Sequence, residues 1–590
     1  MRTSHRSTAL LTGGALLAGT TTAGLVLAPA AGAQTLTVTN TNDSGAGSLR
    51  QAIIDANATP GTDTITFAPT VTGTITLASN LTPIEESVVI TGPGADRLAI
   101  DGSRRYSGFT QSLSQPVAIS LDVSGLRLQR LHADTAPFFG AIVVLDGDLT
   151  LRDTIVTDSG SPTLAQSYAD APVVTGVFNN QALTGNVLLE RVTITGNHSY
   201  EGPNTYASLA GAAILAGAEV TVRDSTITDN SADLAGGAFL IGLNVTVSNS
   251  TFADNRSRGP FGALMARGDT MSIEGSRVTG NSGLNQSGIS AIGGFYSSSP
   301  NGATSIAITD TLIADNTARA GSVNYLEAAN VTVERTTITG NRSADAPAPE
   351  TEPASALSIA GAARIQSSTI TQNVGIGLAS FTRRQVASCG PTTSSATTQG
   401  LLRNRRSLGA CAVAPATPAT PGESSLLVRH STIADNASVG VTANRSERRP
   451  LSTTSDGLAP KSTSSSVPQP TISIDHAIIA GNGVGATGLD IDSPFTSRFS
   501  LVQRPFATHT DGAGGGNIFG VDPQLQPLQW YSSVGAVRPI LGGSPAWNAG
   551  DPAFTPPPAT DQTGAPRVVE IIDMGAYEVQ AETFAPRFAG

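Results

Sequence analysis

The stretch VTVRDSTITDN, residues 220–230, returns as VTVSNSTFADN at 245–255 and as VTVERTTITGN at 331–341. The same eleven-residue frame fits six further stretches, so the sequence holds nine copies. Each copy closes on an asparagine: Asn197, Asn230, Asn255, Asn281, Asn316, Asn341, Asn373, Asn436 and Asn482. A repeat of this kind indicates a solenoid, in which each unit stacks on its neighbours and the core grows with the length of the chain.

The polarity pattern within a copy predicts short strands. Apolar residues at positions one and three, such as Val220 and Val222, alternate with polar ones, which indicates a strand with one buried face. Position six is serine or threonine in seven copies and position eight is Ile, Val or Phe in all, which predicts a second strand. A glycine-rich apolar stretch such as residues 236–240 predicts a third. We therefore expect an all-β fold, a single-stranded right-handed parallel β-helix with three short sheets per turn and capping regions at both ends.

The closing asparagine has a predicted structural role. Asparagine tolerates left-handed backbone geometry and can bind neighbouring backbone groups, so we expect it at a turn. Equivalent asparagine side chains one coil apart can join into an amide ladder. The closing residues from Asn197 to Asn373 recur after 25 to 35 residues, which fits one coil plus loop insertions.

The N-terminus predicts export. Arg2 and Arg6 precede a weakly apolar stretch, and Ala31-Gly32-Ala33 supplies a cleavage site, so residues 1–33 are a predicted signal peptide; a retained membrane anchor is the alternative. No later apolar run approaches about 18 residues, so we expect no membrane span in the mature chain, which would be secreted or held at the cell surface. The formal charge of −11 disfavours nucleic acid as a partner.

The remaining chain divides into regions. We expect an N-terminal cap with the first strands at 34–110, the β-helix at 111–500, a C-terminal module at 501–580 and a tail at 581–590. Two irregular inserts, at about 382–425 and 443–470, are either recognition loops or tolerated insertions. Cys389 and Cys411 both lie in the first insert. In an exported protein they predict one disulfide, and no CxxC pair favours a metal site instead.

The N-terminal run LTVTNTNDSGAGSLRQAIIDANATPGTDTITF, residues 36–67, resembles the start of exported β-helix proteins that carry a CSLREA motif. Here GSLRQAI stands in its place, without the cysteine and with Gln51 where the motif has glutamate. Residues Leu49 to Ala58 have helical spacing, which predicts a short amphipathic helix capping the first coil. The resemblance implies an exported β-helix and assigns these residues no chemistry.

The C-terminal motifs VDPQLQPL (521–528), GGSPAWNAGDP (542–552), TDQTG (560–564) and IDMGAYE (572–578) resemble the choice-of-anchor Q domain. That domain is often followed by an anchoring tail, whereas this chain continues as AETFAPRFAG, without an LPxTG-like motif. The pairs GGAF (236–239) and FADN (252–255) resemble repeats of polymorphic outer-membrane adhesins. These resemblances imply a role at the cell surface.

Catalysis on a polysaccharide is the main enzymatic alternative, because right-handed β-helices include pectin lyase-like enzymes. Such chemistry needs paired carboxylates, or a base together with an arginine or a cation. Charged residues that follow the first strand of each copy would stack into a corner stripe: Glu190, Arg191, Arg223, Asp224, Glu274, Asp310, Glu334, Arg335, Arg429, His430, Asp475 and His476. The stripe predicts either solvated ion pairs or a glycan site, and its catalytic candidates are Arg429, His430, Asp475 and His476.

Two further sets of carboxylates are candidate sites. Asp229, Asp254, Asp315 and Asp435 precede closing asparagines and could bind Ca²⁺ if they aligned. Aspartate is also a common turn residue and glycines interrupt this row, so we assign neither a metal nor another cofactor. The second set, in the C-terminal module, is Asp551, Asp561, Asp573 and Glu578, which form either a carboxylate site or turns.

The sequence therefore favours a secreted or cell-surface β-helix that adheres, scaffolds or binds glycans and other surface polymers, without a recognisable catalytic site. The alternative is an extracellular polysaccharide lyase or glycoside hydrolase.

Overall fold

The computed structural model describes residues 32–112, 118–132, 140–160, 171–175, 185–199, 210–284, 286–293, 304–343, 354–381, 425–444, 470–483 and 488–580. Three stacks of parallel strands wind around one apolar core, so the predicted parallel β-helix is confirmed. The predicted signal peptide, the disulfide between Cys389 and Cys411, most of both inserts and the tail lie outside the described residues.

The first sheet contains 23 of the described strands. They are Thr35–Val38, Asp63–Phe67, Val88–Thr91, Phe109–Thr110, Ile119–Ser124, Ile142–Val144, Gly147–Arg152, Val173–Thr175, Asn186–Glu190, Ala213–Arg223, Ala238–Ser248, Leu264–Gly268, Thr270–Glu274, Ile289–Gly293, Ser305–Thr309, Asn324–Glu334, Ser355–Gln366, Ile376–Phe381, Ser425–Arg429, Val441–Asn444, Thr471–Asp475, Phe495–Arg498 and His509–Asp511.

The second sheet has 15 described strands of two to four residues, and the third has five of two residues each. Those of the second are Gly73–Thr76, Leu98–Asp101, Arg127–Gln129, Ile155–Thr157, Thr193–Thr195, Thr226–Thr228, Thr251–Ala253, Arg277–Thr279, Leu312–Ala314, Thr337–Thr339, Thr369–Thr371, Thr432–Ala434, Ile478–Ala480, Leu501–Val502 and Ile518–Phe519. Those of the third are Ser231–Ala232, Arg256–Ser257, Ser282–Gly283, Thr317–Ala318 and Arg342–Ser343. An antiparallel hairpin joins Gln529–Trp530 to Ala536–Val537.

The copies stack in register, as their alternation predicts. Val220 pairs with Val187 on one side and with Val245 on the other, so equivalent residues lie directly above one another. Val220, Val222 and Ile227 are completely buried. Burial of such side chains, coil after coil, supplies the main stabilisation of the solenoid.

The prediction of three separate sheets per turn was wrong in part. The predicted first and third strands fuse in long strands such as Ala213–Arg223 and Ala238–Ser248. Glycines stack where these strands pass from one face to the next. A Cβ added to Gly217 would lie 2.5 Å from the carbonyl oxygen of Gly185, and one added to Gly268 would lie 2.6 Å from that of Gly242. Only glycine permits this close approach of neighbouring backbones.

Residues in the left-handed conformation form the corners. The closing asparagines were expected to be these residues, but they are not. The residue before the asparagine has a positive φ instead, for example 56° at Asp229 and 64° at Gly196. The residue at position five of a copy, directly after the first strand, is also left-handed, with a φ of 51° at Asp224. Aspartate and glycine tolerate this conformation, which leaves the asparagine side chain directed inward toward adjacent coils.

The predicted N-terminal helix is confirmed at Leu49–Asn57. The Ser48 side chain accepts a hydrogen bond from the Gln51 backbone N–H at 3.2 Å, which caps the helix. Leu49 and Ile53 are completely buried and join the same apolar core as Ile65 in the first coils. The helix therefore closes the N-terminal end of that core.

The C-terminal segment, residues 521–580, packs along the side of the solenoid rather than only across its end. It covers outward side chains of the second sheet, so Thr337, Thr369 and Ile478 are buried, whereas Thr193 and Thr226 in earlier coils stay partly exposed. Within the described part of the chain, no helix is long and apolar enough to cross a membrane.

Candidate functional site

The nine closing asparagines form one continuous chain of hydrogen bonds. The Nδ2 of each donates to the Oδ1 of the next at 2.8–3.0 Å. The same Oδ1 also accepts a backbone N–H from the preceding asparagine, and each Nδ2 faces a backbone carbonyl of the coil before, as Asn341 does at Ile313. All nine side chains are almost fully buried, so these asparagines bind other coils and present nothing to a ligand.

Both ends of the ladder use residues that the repeat pattern does not identify. At one end, the backbone N–H of Ser159 donates to Asn197 Oδ1 at 2.9 Å. At the other, Asn482 Nδ2 donates to Asp490 Oδ1 at 2.9 Å, and Arg504 N–H donates to Asp490 Oδ2 at 2.8 Å. The one sequence signal for Asp490 is that it supplies a hydrogen-bond acceptor shortly after the last copy, which ends at Asn482.

The hydroxyl at position six forms a second ladder. Ser225 Oγ accepts the N–H of Val192 at 3.1 Å and donates to the carbonyl of Arg223 at 2.8 Å. Ser225 N–H then donates to Ser250 Oγ at 3.1 Å. The serine or threonine at this position therefore satisfies backbone groups at a corner where strand pairing is interrupted.

The middle of the corner stripe neutralises itself. Arg191 contacts Asp153 at 2.7 Å and Glu190 at 2.5 Å, and Glu190 also contacts Arg223 at 3.0 Å. Further along, Arg335 contacts Asp310 at 2.7 Å and Glu334 at 2.6 Å. Opposite charges from neighbouring coils thus pair at the surface, where each pair contributes little to stability.

The structure brings the four catalytic candidates together. Asp475 lies at the centre, with His476 Nδ1 2.5 Å from its Oδ1 and Arg429 Nε 3.0 Å from its Oδ2. Arg498, which the sequence did not single out, donates to the same Oδ2 at 3.0 Å. The ring of His430 lies 4.9 Å from that of His476, centroid to centroid. We call Arg429, His430, Asp475, His476 and Arg498 the histidine cluster.

Both imidazoles of the cluster are completely buried beneath the C-terminal segment. Phe554 lies with its ring centroid 5.2 Å from that of His430 and 5.5 Å from that of His476. The Asp551 backbone N–H donates to His476 Nε2 at 3.0 Å, so Nδ1 carries the proton that is donated to Asp475. An aspartate–histidine pair can act as a general base, but the nitrogen that would take the proton is already occupied here.

His430 is held by a buried arginine of the C-terminal segment. Arg567 is completely buried, and its Nη2 lies 3.2 Å from His430 Nδ1 and 2.5 Å from the carbonyl oxygen of Gly575. Burial, helped by the positive charge of Arg567, lowers the pKa of His430 well below its usual value. A neutral His430 can accept the Arg567 hydrogen bond at Nδ1, and this bond joins the histidine cluster to the C-terminal segment.

Asp475 remains a carboxylate despite its burial. Burial by itself would raise the pKa of Asp475, but hydrogen bonds from His476 and Arg498 outweigh it and hold the pKa below the usual value. This carboxylate therefore balances the positive charges of Arg429 and Arg498 at the corner.

Buried carboxylates hold the C-terminal segment together in place of regular secondary structure. Asp561 Oδ1 accepts the backbone N–H of Thr563 at 2.8 Å, and its Oδ2 accepts that of Glu578 at 3.0 Å. Glu578 accepts two backbone N–H groups and Asp573 two more. Of the four carboxylates considered in this module, these three cap turns, and Asp551 accepts the N–H of Ala553 at 2.8 Å.

The carboxylates of the C-terminal segment crowd each other. Burial, and then the neighbouring Asp573 charge, raises the pKa of Glu578 to about 8. Burial raises the pKa of Asp573 to about 6. Burial lowers the pKa of Arg567, although the charges of Glu578, Asp561 and Asp573 favour the protonated guanidinium.

The row of aspartates that precede asparagines is explained by corner packing. A Cβ added to Gly280 would lie 2.3 Å from Asp254 Oδ1, and one added to Gly340 would lie 2.2 Å from Asp315 Oδ1. In these two pairs the aspartate side chain thus lies over a glycine in the next coil, whereas the coil after Asp229 carries Asp254 at that position. No group of three or more potential metal ligands occurs among the described residues.

A polar cleft of about 280 Å³ lies where the C-terminal segment meets the solenoid, and its lining includes Asp435, Gln503, Asp522 and Arg538. Arg538 pairs with Asp435, and Gln503 accepts the N–H of Gly481 at 2.9 Å. The Arg538–Asp435 pair thus joins the C-terminal segment to the solenoid at this cleft.

The stacked parallel coils and the two ladders define a parallel β-helix protein. The family model described as the right-handed β-helix region matches residues 140–296 and 183–344. No curated protein matches the chain. Among solved structures, the A-module of the mannuronan C-5 epimerase AlgE4 of Azotobacter vinelandii is similar, with 14% identity and a TM-score of 0.32 over 80% of this chain and 100% of that one. This likeness carries no statement about activity.

Proposed function

We propose that this chain is an exported β-helix protein that binds or scaffolds surface polymers, glycans above all, through its long outer faces. The observation that carries the proposal is the burial of His430 and His476 under the C-terminal segment. The residues best suited to catalysis are engaged in docking, so the outer surface remains for binding. The right-handed β-helix serves both adhesins and polysaccharide-acting enzymes, so the fold alone does not decide between them.

Export and surface location belong to the same proposal. They rest on Arg2, Arg6 and the small residues at 31–33, and on the resemblance of the two ends of the chain to exported β-helix proteins. Secretion of the intact chain with cleavage after Ala33, determined by mass spectrometry of the exported protein, supports this part, and a cytoplasmic uncleaved product contradicts it.

The enzymatic alternative requires a base and a charged partner that a polymer can reach. His476 Nε2 is occupied by Asp551, and His430 is completely buried. A polysaccharide lyase or hydrolase that used the histidine cluster would need the C-terminal segment to leave the solenoid first. We therefore rank binding above turnover.

The test incubates the mature protein with uronate-containing and neutral polysaccharides and follows binding, unsaturated products and new reducing ends. We expect binding to at least one glycan without turnover. Turnover that His430→Ala abolishes, while His198→Ala retains it, would overturn the proposal. His198 is the matched control because its side chain is exposed and bonds only to Ser231 among the described contacts. Binding to none of the glycans contradicts the proposal as well.

A further inference from the structure

Three arginines of the solenoid differ from every other arginine that the structure describes. Arg256, Arg319 and Arg342 are exposed, and their side chains form no ion pair, hydrogen bond or ring contact with a described residue. Arginines of the corner stripe, in contrast, pair with carboxylates of adjacent coils, as Arg191 and Arg335 do. In a chain of net charge −11, three unpaired guanidinium groups call for an explanation.

The fold places all three on one face. Strand pairing aligns Ser231, Arg256, Ser282, Thr317 and Arg342 in one outward column of the third sheet. Arg319 follows the strand Thr317–Ala318 directly and is exposed, in the coil next to that of Arg342. Arg256 and Arg342 are three coils apart, which corresponds to about 14 Å along the solenoid axis. We call Arg256, Arg319 and Arg342 the arginine face.

The surface between these arginines suits an extended polar chain. Ser282 and Thr317 are half-buried side chains that direct hydroxyls outward in the two intervening coils. Leu284 in one of them is 37% exposed and adds apolar surface. In the paired column, two hydroxyl-bearing residues thus lie between Arg256 and Arg342, and Leu284 and Arg319 lie beside that column. A polysaccharide offers hydroxyl groups for the column and charged substituents for the arginines.

The neighbouring corner limits what can bind. Asp254 and Asp315 are exposed and form no ion pair with the arginine face. Their charge repels a polyanion from that side and confines it to the arginine column. A nucleic acid duplex carries one charge per about 1.7 Å of axis and meets this acidic border, whereas a polysaccharide with more widely spaced charges is accommodated better.

Guanidinium groups bind carboxylate and sulfate through paired N–H donors, and they do so with little loss of hydration. We propose that the arginine face binds an acidic polysaccharide, carrying carboxylate or sulfate groups, that lies along the solenoid axis. The inference rests on the proposed function and names the class of glycan and the surface that holds it.

The experiment measures dissociation constants of the intact mature protein for polygalacturonate, dextran sulfate, neutral dextran and duplex DNA, at two salt concentrations. The test variant is R256Q/R319Q/R342Q. The matched control is R97Q/R104Q/R105Q, which removes the same charge from three exposed arginines in the N-terminal coils. Circular dichroism of both variants verifies that the solenoid is intact.

We expect the parent to bind polygalacturonate or dextran sulfate, with the two anions separating carboxylate from sulfate recognition. The test variant should bind that polymer at least tenfold more weakly, and the control variant within about twofold of the parent. Added salt should weaken the parent more than the test variant, because exposed charges are screened.

Unchanged binding by the test variant, or equal loss in the control, overturns the inference while leaving glycan binding in place. Binding to neutral dextran but to neither anionic polymer also overturns the inference while leaving glycan binding in place. DNA binding as tight as that of the acidic glycan overturns the assignment to polysaccharides. Failure to bind any of the glycans contradicts the proposed function itself, so the two failures are distinguishable.

Discussion

At the residue scale, single side chains replace backbone partners that strand pairing leaves unsatisfied. Asn341 accepts from Asn316 at 3.0 Å and donates to Asn373 at 3.0 Å, and thus joins three coils. The serine or threonine at position six serves the preceding corner in the same way. A buried donor or acceptor that loses its partner is costly, so these residues determine where the chain can turn.

Asn341→Ala should destabilise the protein by about 3 kcal/mol, because it removes a ladder step and leaves the Asn316 amide and backbone carbonyls without partners. The measurement is the free energy of unfolding in urea, followed by far-ultraviolet circular dichroism. Asn330→Ala in the same coil is the control, since Asn330 is exposed, and it should cost less than about 0.5 kcal/mol. Equal effects of the two variants would show that the ladder adds nothing.

The repeat made the ladder predictable, since an asparagine that closes nine copies of one frame needs a common structural reason. Its ends were not predictable, because Ser159 and Asp490 lie outside the frame and are defined only by the coils they adjoin. Nor was it evident that the residue before the asparagine takes the left-handed conformation, because aspartate, glycine and asparagine all tolerate it.

At the scale of elements, the strands bend where glycine permits. Gly268 lies at the end of Leu264–Gly268, and a side chain there would meet the backbone of Gly242 in the adjacent coil. Gly268→Val should therefore lower the free energy of unfolding by about 2 kcal/mol, measured in urea. Thr270→Val, an exposed position in the following strand, is the control and should be nearly neutral. A Gly268→Val variant as stable as the parent would contradict the role of the glycine column.

The C-terminal segment should loosen as the pH rises from about 6.5 to 9. The pKa of Glu578 is raised to about 8 in the folded protein, so its contribution is present at low pH and is lost as the pH passes through that value. Both tryptophans of the chain, Trp530 and Trp547, lie in this segment, so tryptophan fluorescence during heating reports on it alone.

In this experiment the midpoint temperature of the fluorescence transition should decrease as the pH is raised from 6.5 to 9. His430, whose pKa is lowered, affects stability only below about pH 6.5, where the unfolded chain binds a proton. Glu578→Gln should flatten the slope, and the exposed Glu274→Gln should leave it unchanged. A midpoint that rises over this range contradicts the burial of an ionisable Glu578.

At the scale of the whole molecule, the sequence predicted the solenoid but not how its C-terminal segment lies on it. Alternating residues make strands visible locally, whereas lateral docking depends on contacts such as Thr337 with Ala536, 199 residues apart. One signal was available: outward positions of the second sheet that hold threonine in early copies hold Leu312 and Ile478 in later ones. Apolar residues on an outer face indicate that something covers it.

The docking also determines what surrounds the histidine cluster. His430 and His476 occupy the same corner position as Arg191 and Arg335, which pair at the surface. Their types suggested chemistry, but the partners that bury them, Phe554 and Arg567, come from a segment more than 70 residues further along the chain. The repeat frame predicted that the four candidates stack along one corner, whereas the segment that covers them was not predicted.

The most direct test of the account is whether the C-terminal segment lies along the solenoid. Arg277 donates to the carbonyl of Ser533, 256 residues away, so cysteines at these two positions should be joined by a short bismaleimide in a protein whose own cysteines are replaced by serine. Cross-linking within one molecule is predicted for Arg277→Cys with Ser533→Cys and not for Arg104→Cys with Ser533→Cys. Equal yields for the two pairs, or none for the first, would contradict lateral docking and reopen the histidine cluster as an active site.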